Sequence, residues 1–173
     1  MVMKLILFLL SWLFFIAPTV HASIAQKLLP TSAPVGASPT LTYLFWDVYQ
    51  ATLYAPNGQY SADQPFVLKL HYLRELKGKD IAQRSVEEMK KQGVQNQAKL
   101  TQWQTQMQSI FPDVTNGTEL YGKRTNSGTS KFYRGEDLIG EINDPQFTQH
   151  FFAIWLGEKT SEPDMRKALL NNK

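Results

Sequence analysis

LTYLFWDVYQATLY, residues 41–54, is dense in aromatic and β-branched side chains. That composition suits a pleated, half-buried surface and predicts one long strand or two consecutive ones. Asn57-Gly58 follows directly and is the strongest short hairpin signal in the chain. Residues 66–73 then alternate, with Phe66, Leu68, Leu70 and Tyr72 on one face and Lys69 and His71 on the other, which predicts a third strand. Helical spacing begins near Asp80, runs through Ile81, Val86 and Met89, and stops near Gly93. A second helix is read from Leu100, Trp103, Met107, Ile110 and Phe111, closed by Pro112. Short strands return over 119–123, 130–134 and 138–142, separated by turn residues in the rhythm of an antiparallel meander. Asn143 or Asp144 can cap a helix with Pro145 at its first position, and the apolar residues from Phe147 to Leu156 predict that it is buried. Pro163 opens a last short helix through Leu170. Working the other way from Leu41, residues 23–39 carry Pro30, Pro34 and Pro39 and read as an extended lead-in without a helix. Strands and helices come in blocks, so the class is α+β, a mostly antiparallel sheet covered by helices on one side, in a single domain over residues 40–173.

Residues 5–16, LILFLLSWLFFI, follow a single positive charge and have the length of a signal-peptide core, short of the roughly 20 residues that span a bilayer. Val20-His21-Ala22 supplies small or compact residues before the cut. The expectation is a signal peptide over residues 1–22, cleaved after Ala22, and a periplasmic or secreted protein with no membrane span after cleavage. The mature chain of about 150 residues is long enough for one hydrophobic core. With no cysteine, disulfides, thiolate metal sites and a cysteine nucleophile are excluded. A net charge of +3 from 18 basic and 15 acidic residues is too balanced to imply nucleic acid as a partner.

Few motifs carry chemistry. Residues 117–123, GTELYGK, match most of a phosphate-binding loop, but Arg124 stands where a magnesium-holding Ser or Thr belongs, and no helix follows. His71 and His150 read as structural histidines, and no metal site or cofactor is expected. The run Arg74-Glu75-Leu76-Lys77-Gly78-Lys79-Asp80 falls where a strand hands over to a helix. It is either a solvated connection or a place from which Arg74 points a fixed cation into a cavity and holds an anionic headgroup. Tyr43, Trp46, Tyr49 and Tyr54 are either cross-strand packing or pocket lining.

Residues 48–54, VYQATLY, resemble the strand motif of the chalcone isomerase-like superfamily, and the remaining order of features is similar to its bacterial branch. Those features include residues 66–74, Phe111-Pro112-Asp113-Val114, Phe132-Tyr133, Asp144-Pro145 and, most specifically, FFAIWLGEKTS at 151–161. The resemblance covers about 41–170 and implies an open-faced β-sandwich. It also implies an isomerase, or a non-catalytic protein binding a small apolar or amphiphilic ligand such as a fatty acid. Aligning Gly78-Lys79 with the isomerases' Gly-Lys pair puts Ile81 where they carry a water-ordering Tyr, and Glu88 where they carry an Asn. The superfamily's Arg, which grips carboxylates in the fatty-acid-binding members, would fall near Gly36 and Ala37, where no Arg stands. The resemblance therefore implies binding without catalysis, with Tyr49, Arg74 and Tyr54 as the candidate ligand-binding residues and no catalytic residue. A structural or interaction role without ligand is the alternative. The oligomeric state is left open.

Overall fold

A computed structural model describes residues 22–172. The expected leader lies almost entirely outside them. Chain order is α1 (Ile24–Leu28), β1 (Ser32–Pro34), β2 (Thr40–Tyr43), β3 (Trp46–Pro56), β4 (Phe66–Tyr72), α2 (Gly78–Lys91), α3 (Gln97–Ile110), β5 (Glu119–Arg124), β6 (Ser130–Arg134), β7 (Asp137–Ile142), α4 (Pro145–Leu156) and α5 (Pro163–Leu170). The seven strands form one antiparallel sheet in the order β1-β3-β4-β5-β6-β7, with β2 also on β3. β1 and β2 share one edge of the long β3, at its two ends, while β4 takes the other edge. This is the α+β, open-faced arrangement expected.

Side-chain alternation sorts the sheet into two faces. Leu53, Phe66, Leu68 and Phe132 point inward and meet Met89, Trp103, Phe147, Phe151 and Phe152 from α2, α3 and α4 in one core. Its aromatic rings meet mostly edge to face, as with Phe66 and Phe152 at 4.8 Å between centroids. α4 is apolar nearly all round because it is buried by the sheet on one side and by helices on the other. Asp144 caps it through Gln146 N–H and Phe147 N–H, and also accepts the indole N–H of Trp103 at 3.0 Å. Burial alone would raise that carboxyl, but the Trp103, backbone and Lys99 hydrogen bonds outweigh it and hold the group below its ordinary range.

Two expectations about the N-terminal segment need correction. Residues 23–39 are not merely extended: Ser23 and Gln26 form a reciprocal capping box that starts α1 before Pro30 is reached. Pro34 is accommodated because β1 lies at the sheet's edge. Nor are all the helices on one side, because α1 packs on the outer face, where Ala25 is buried with Val67 and Tyr121. Asn57-Gly58 does turn the chain out of β3, both residues having positive φ (53° and 70°). The connection then continues to Phe66 rather than closing a two-residue hairpin, because Asn57 N–H is engaged by Thr31 C=O.

Candidate functional site

Between the inner face of the sheet and helices α2 and α4 lies a cavity of about 450 Å³. A volume of that order is in the range of small-molecule sites. Most of its wall is apolar: Leu68 and Leu70 of β4, Phe132 of β6, Ile139 of β7, and Phe151 and Phe152 of α4. Gly122 keeps the floor low, since a Cβ there would stand 3.1 Å from the Phe152 ring. Of the lining residues, Tyr43, Asp80, Arg84 and Glu162 are exposed and Arg74 is half-buried, so the mouth opens at the end of the sheet where the β2–β3 hairpin, the β4–α2 connection and the α4–α5 connection meet.

Polar groups gather toward that mouth. Tyr49, on β3, faces inward with its ring edge-on to Tyr72 at 5.9 Å. Its hydroxyl oxygen accepts the indole N–H of Trp155 at 2.9 Å. With one lone pair occupied in this way, the O–H is left as a donor in the cavity wall. Burial pushes the phenol well above its ordinary range, against the smaller opposing effect of the Trp155 hydrogen bond. The group is therefore a hydrogen-bond donor at neutral pH and a poor source of phenolate.

Arg74 follows the end of β4 and lines the cavity, with its guanidinium 5.3 Å from the centroid of the Trp46 ring. Among the described residues no carboxylate lies within 4.0 Å of it. Arg84, the other cationic residue of the lining, is already committed: its Nη2 lies 2.6 Å from the Glu88 carboxylate. That carboxylate is buried and also accepts from Lys91 at 2.9 Å and from the Ser161 hydroxyl at 2.6 Å. Burial opposes ionisation of Glu88, but the Ser161, Lys91 and Arg84 contacts prevail and hold it below the usual glutamate range. Glu88 thus ties α2 to the segment between α4 and α5 and leaves no free charge facing the ligand space.

The structure brings two of the three candidate residues together at the cavity and excludes the third. Tyr54 lies on the outer face, opposite Val67, among the residues that pack on α1. The physical reason is strand parity: five residues separate it from Tyr49, and an odd step in a continuous strand reverses the face. Trp155, which orients the Tyr49 hydroxyl, and Ser161, which completes the Glu88 site, were not candidates. Both sit in the 151–161 block, and nothing in their local spacing announces a partner on β3 or α2. Where the resemblance places the superfamily's Arg, the backbone is closely packed. A Cβ on Gly36 would stand 2.2 Å from the carbonyl oxygen of Ala168 on α5, and Ala37 N–H donates to that same oxygen. Where it places the isomerases' Tyr, the side chain of Ile81 contributes an apolar wall.

The sequence pattern of the chalcone isomerase-like family matches residues 40–171. The chain belongs to the chalcone isomerase-like family. Among solved structures, it is similar to the fatty-acid binding protein of Arabidopsis thaliana, with a TM-score of 0.62 at 13% identity. That match covers 83% of this chain and 88% of the plant protein. No curated protein matches by sequence. At such identity the likeness establishes the chalcone isomerase-like fold, and the chemistry of the site rests on this chain's own residues.

Proposed function

We propose that the chain is a non-catalytic binding protein for a small amphiphilic anion of the fatty-acid class. The acyl portion occupies the apolar cavity, and the carboxylate lies at the mouth between Arg74 and the Tyr49 hydroxyl. The observation that carries this reading is the pairing of an enclosed apolar volume with one cation at its rim that no carboxylate neutralises, among the described residues. Arg84 is held by Glu88, so the charge available to a ligand is that of Arg74. A planar guanidinium stacked on an aromatic ring is preorganised to grip a carboxylate through two N–H groups. Binding without turnover fits the Ile81 wall and the raised Tyr49 phenol, which offer hydrogen bonding but no water-ordering hydroxyl at the first position and no ready base at the second. The bound small molecule seen in a fatty-acid binding relative of the same fold is the reason for naming that class, and the apolar leader read at residues 1–22 supports placing the activity outside the cytoplasm.

Native mass spectrometry of the protein purified from its own source, before and after mild organic extraction, tests this. A defined mass removed by extraction and restored by added fatty acid is expected. A bare polypeptide that takes up neither fatty acid nor a neutral amphiphile would reject the proposal. N-terminal sequencing of the same sample tests the leader, with Ser23 expected as the first residue.

A further inference from the structure

The turn joining β2 to β3 is made of Leu44 and Phe45, flanked by Tyr43 and Trp46. All four side chains stand out of the protein, Tyr43 being 61%, Leu44 74%, Phe45 94% and Trp46 62% exposed. Single exposed apolar residues are ordinary, but four in succession at one apex are not. Folding does not ask for them. A two-residue hairpin favours Gly, Asn or Asp at positions of positive φ, and here Leu44 takes φ of 57° against the clash of its own Cβ.

The order of the side chains has a physical counterpart. Leu and Phe occupy the apex, and Tyr and Trp stand one step behind, as the amphipathic rings do at a membrane–water boundary. Behind Trp46 stands the Arg74 guanidinium, level with where lipid phosphates would lie. The acidic residue of the hairpin, Asp47, is turned to the Thr42 hydroxyl at 2.7 Å. Tyr43 and Arg74 both line the cavity, so the apex is continuous with its mouth. A convex two-residue apex offers little of the roughly 800 Å² per partner that a stable protein interface buries, whereas a bilayer accepts a point insertion.

We infer that the β2–β3 apex inserts into the interfacial layer of a lipid bilayer and seats the cavity mouth on the membrane, so that an amphiphilic ligand passes between bilayer and cavity. The transfer step rests on the ligand-binding reading above, whereas the docking step does not.

The test compares the mature protein with the double variant Leu44→Gly, Phe45→Asn, which gives the turn residues suited to its backbone and removes the apolar apex. Flotation with phosphatidylcholine vesicles is measured first. Uptake of a fluorescent fatty acid is then followed, supplied either in solution or within the same vesicles. The mature protein is expected to float. The variant should retain its fold and thermal midpoint, bind vesicles at least about tenfold more weakly, and take up fatty acid normally from solution but slowly from vesicles. A mature protein that stays in solution, or a variant that floats equally well, overturns the inference. So does an apex-dependent dimer that ignores vesicles. Flotation without uptake from either source supports docking and overturns the ligand-binding reading; uptake from solution without flotation does the reverse.

Discussion

Replacing Tyr49 by Phe removes one oxygen and separates two roles assigned to it. In the folded protein that oxygen accepts from the Trp155 indole N–H at 2.9 Å, and Trp155 is only 6% exposed. Phenylalanine fills nearly the same space, so the packing against Tyr72 survives while a buried donor loses its partner. Leaving such a group unsatisfied costs about 1–3 kcal/mol. For a domain of this size each kcal/mol lowers the melting temperature by about 2–4 °C, so the variant should melt roughly 2–10 °C lower. The second role predicts a separate loss of ligand affinity, about 2- to 10-fold for one neutral hydrogen bond of 0.5–1.5 kcal/mol. Differential scanning calorimetry and fatty-acid titration measure the two. Trp155→Phe supplies the control: it removes the donor, and in that background Tyr49→Phe should cost markedly less stability. Equal costs in both backgrounds would refute the pairing. Unchanged affinity in Tyr49→Phe would remove its hydroxyl from the binding site.

Arg74→Ala should weaken binding of a fatty acid by about 10- to 100-fold, the value of a hydrogen bond to a charged group, yet leave its methyl ester nearly unaffected. Because Arg74 has no carboxylate partner, its stability should change by no more than about 0.5 kcal/mol. Glu88 has a depressed carboxyl in the folded state, so its contribution is fully present above the ordinary glutamate range and is lost as pH falls through the lower folded value. Melting temperature should therefore drop more steeply below about pH 5 in the native protein than in Glu88→Gln, and parallel curves would contradict that. Asp144→Ala removes the α4 cap and leaves the Trp103 indole N–H unpartnered. A loss of about 2–4 kcal/mol by denaturant titration is expected, combining a cap of about 1 with an unsatisfied buried donor of about 1–3.

The strands and the four large helices were legible because their signals are local: alternation at 66–72, Pro145 behind Asp144, Pro112 after Phe111. α1 was also written in the chain, as Ser23 with Gln26 three residues on, but the nearby prolines drew the reading toward an extended segment. The site was legible only in part. Tyr49 and Arg74 were within reach because one lies in a recognisable strand and the other just beyond the end of β4. Tyr54 fails on parity, which the sequence itself contains. Trp155, Ser161 and the Arg84–Glu88 pair could not be read, since what they do depends on α4, α2 and β3 meeting across the cavity. The exposure of the residue 43–46 apex was likewise hidden, because the same residues suit a buried strand equally well.

The claim on which the account turns is that a ligand's acyl chain lies between the inner face of the sheet and α4. Photolabelling with a fatty acid carrying a diazirine near its tail, followed by peptide mapping, reads that location directly. The account predicts saturable labelling at inner-face residues such as Leu68, Phe132, Phe151 and Phe152, competed by unlabelled fatty acid and reduced in Arg74→Ala. Labelling that is not saturable, or that falls on the outer face around Tyr54 and Tyr121, would contradict it.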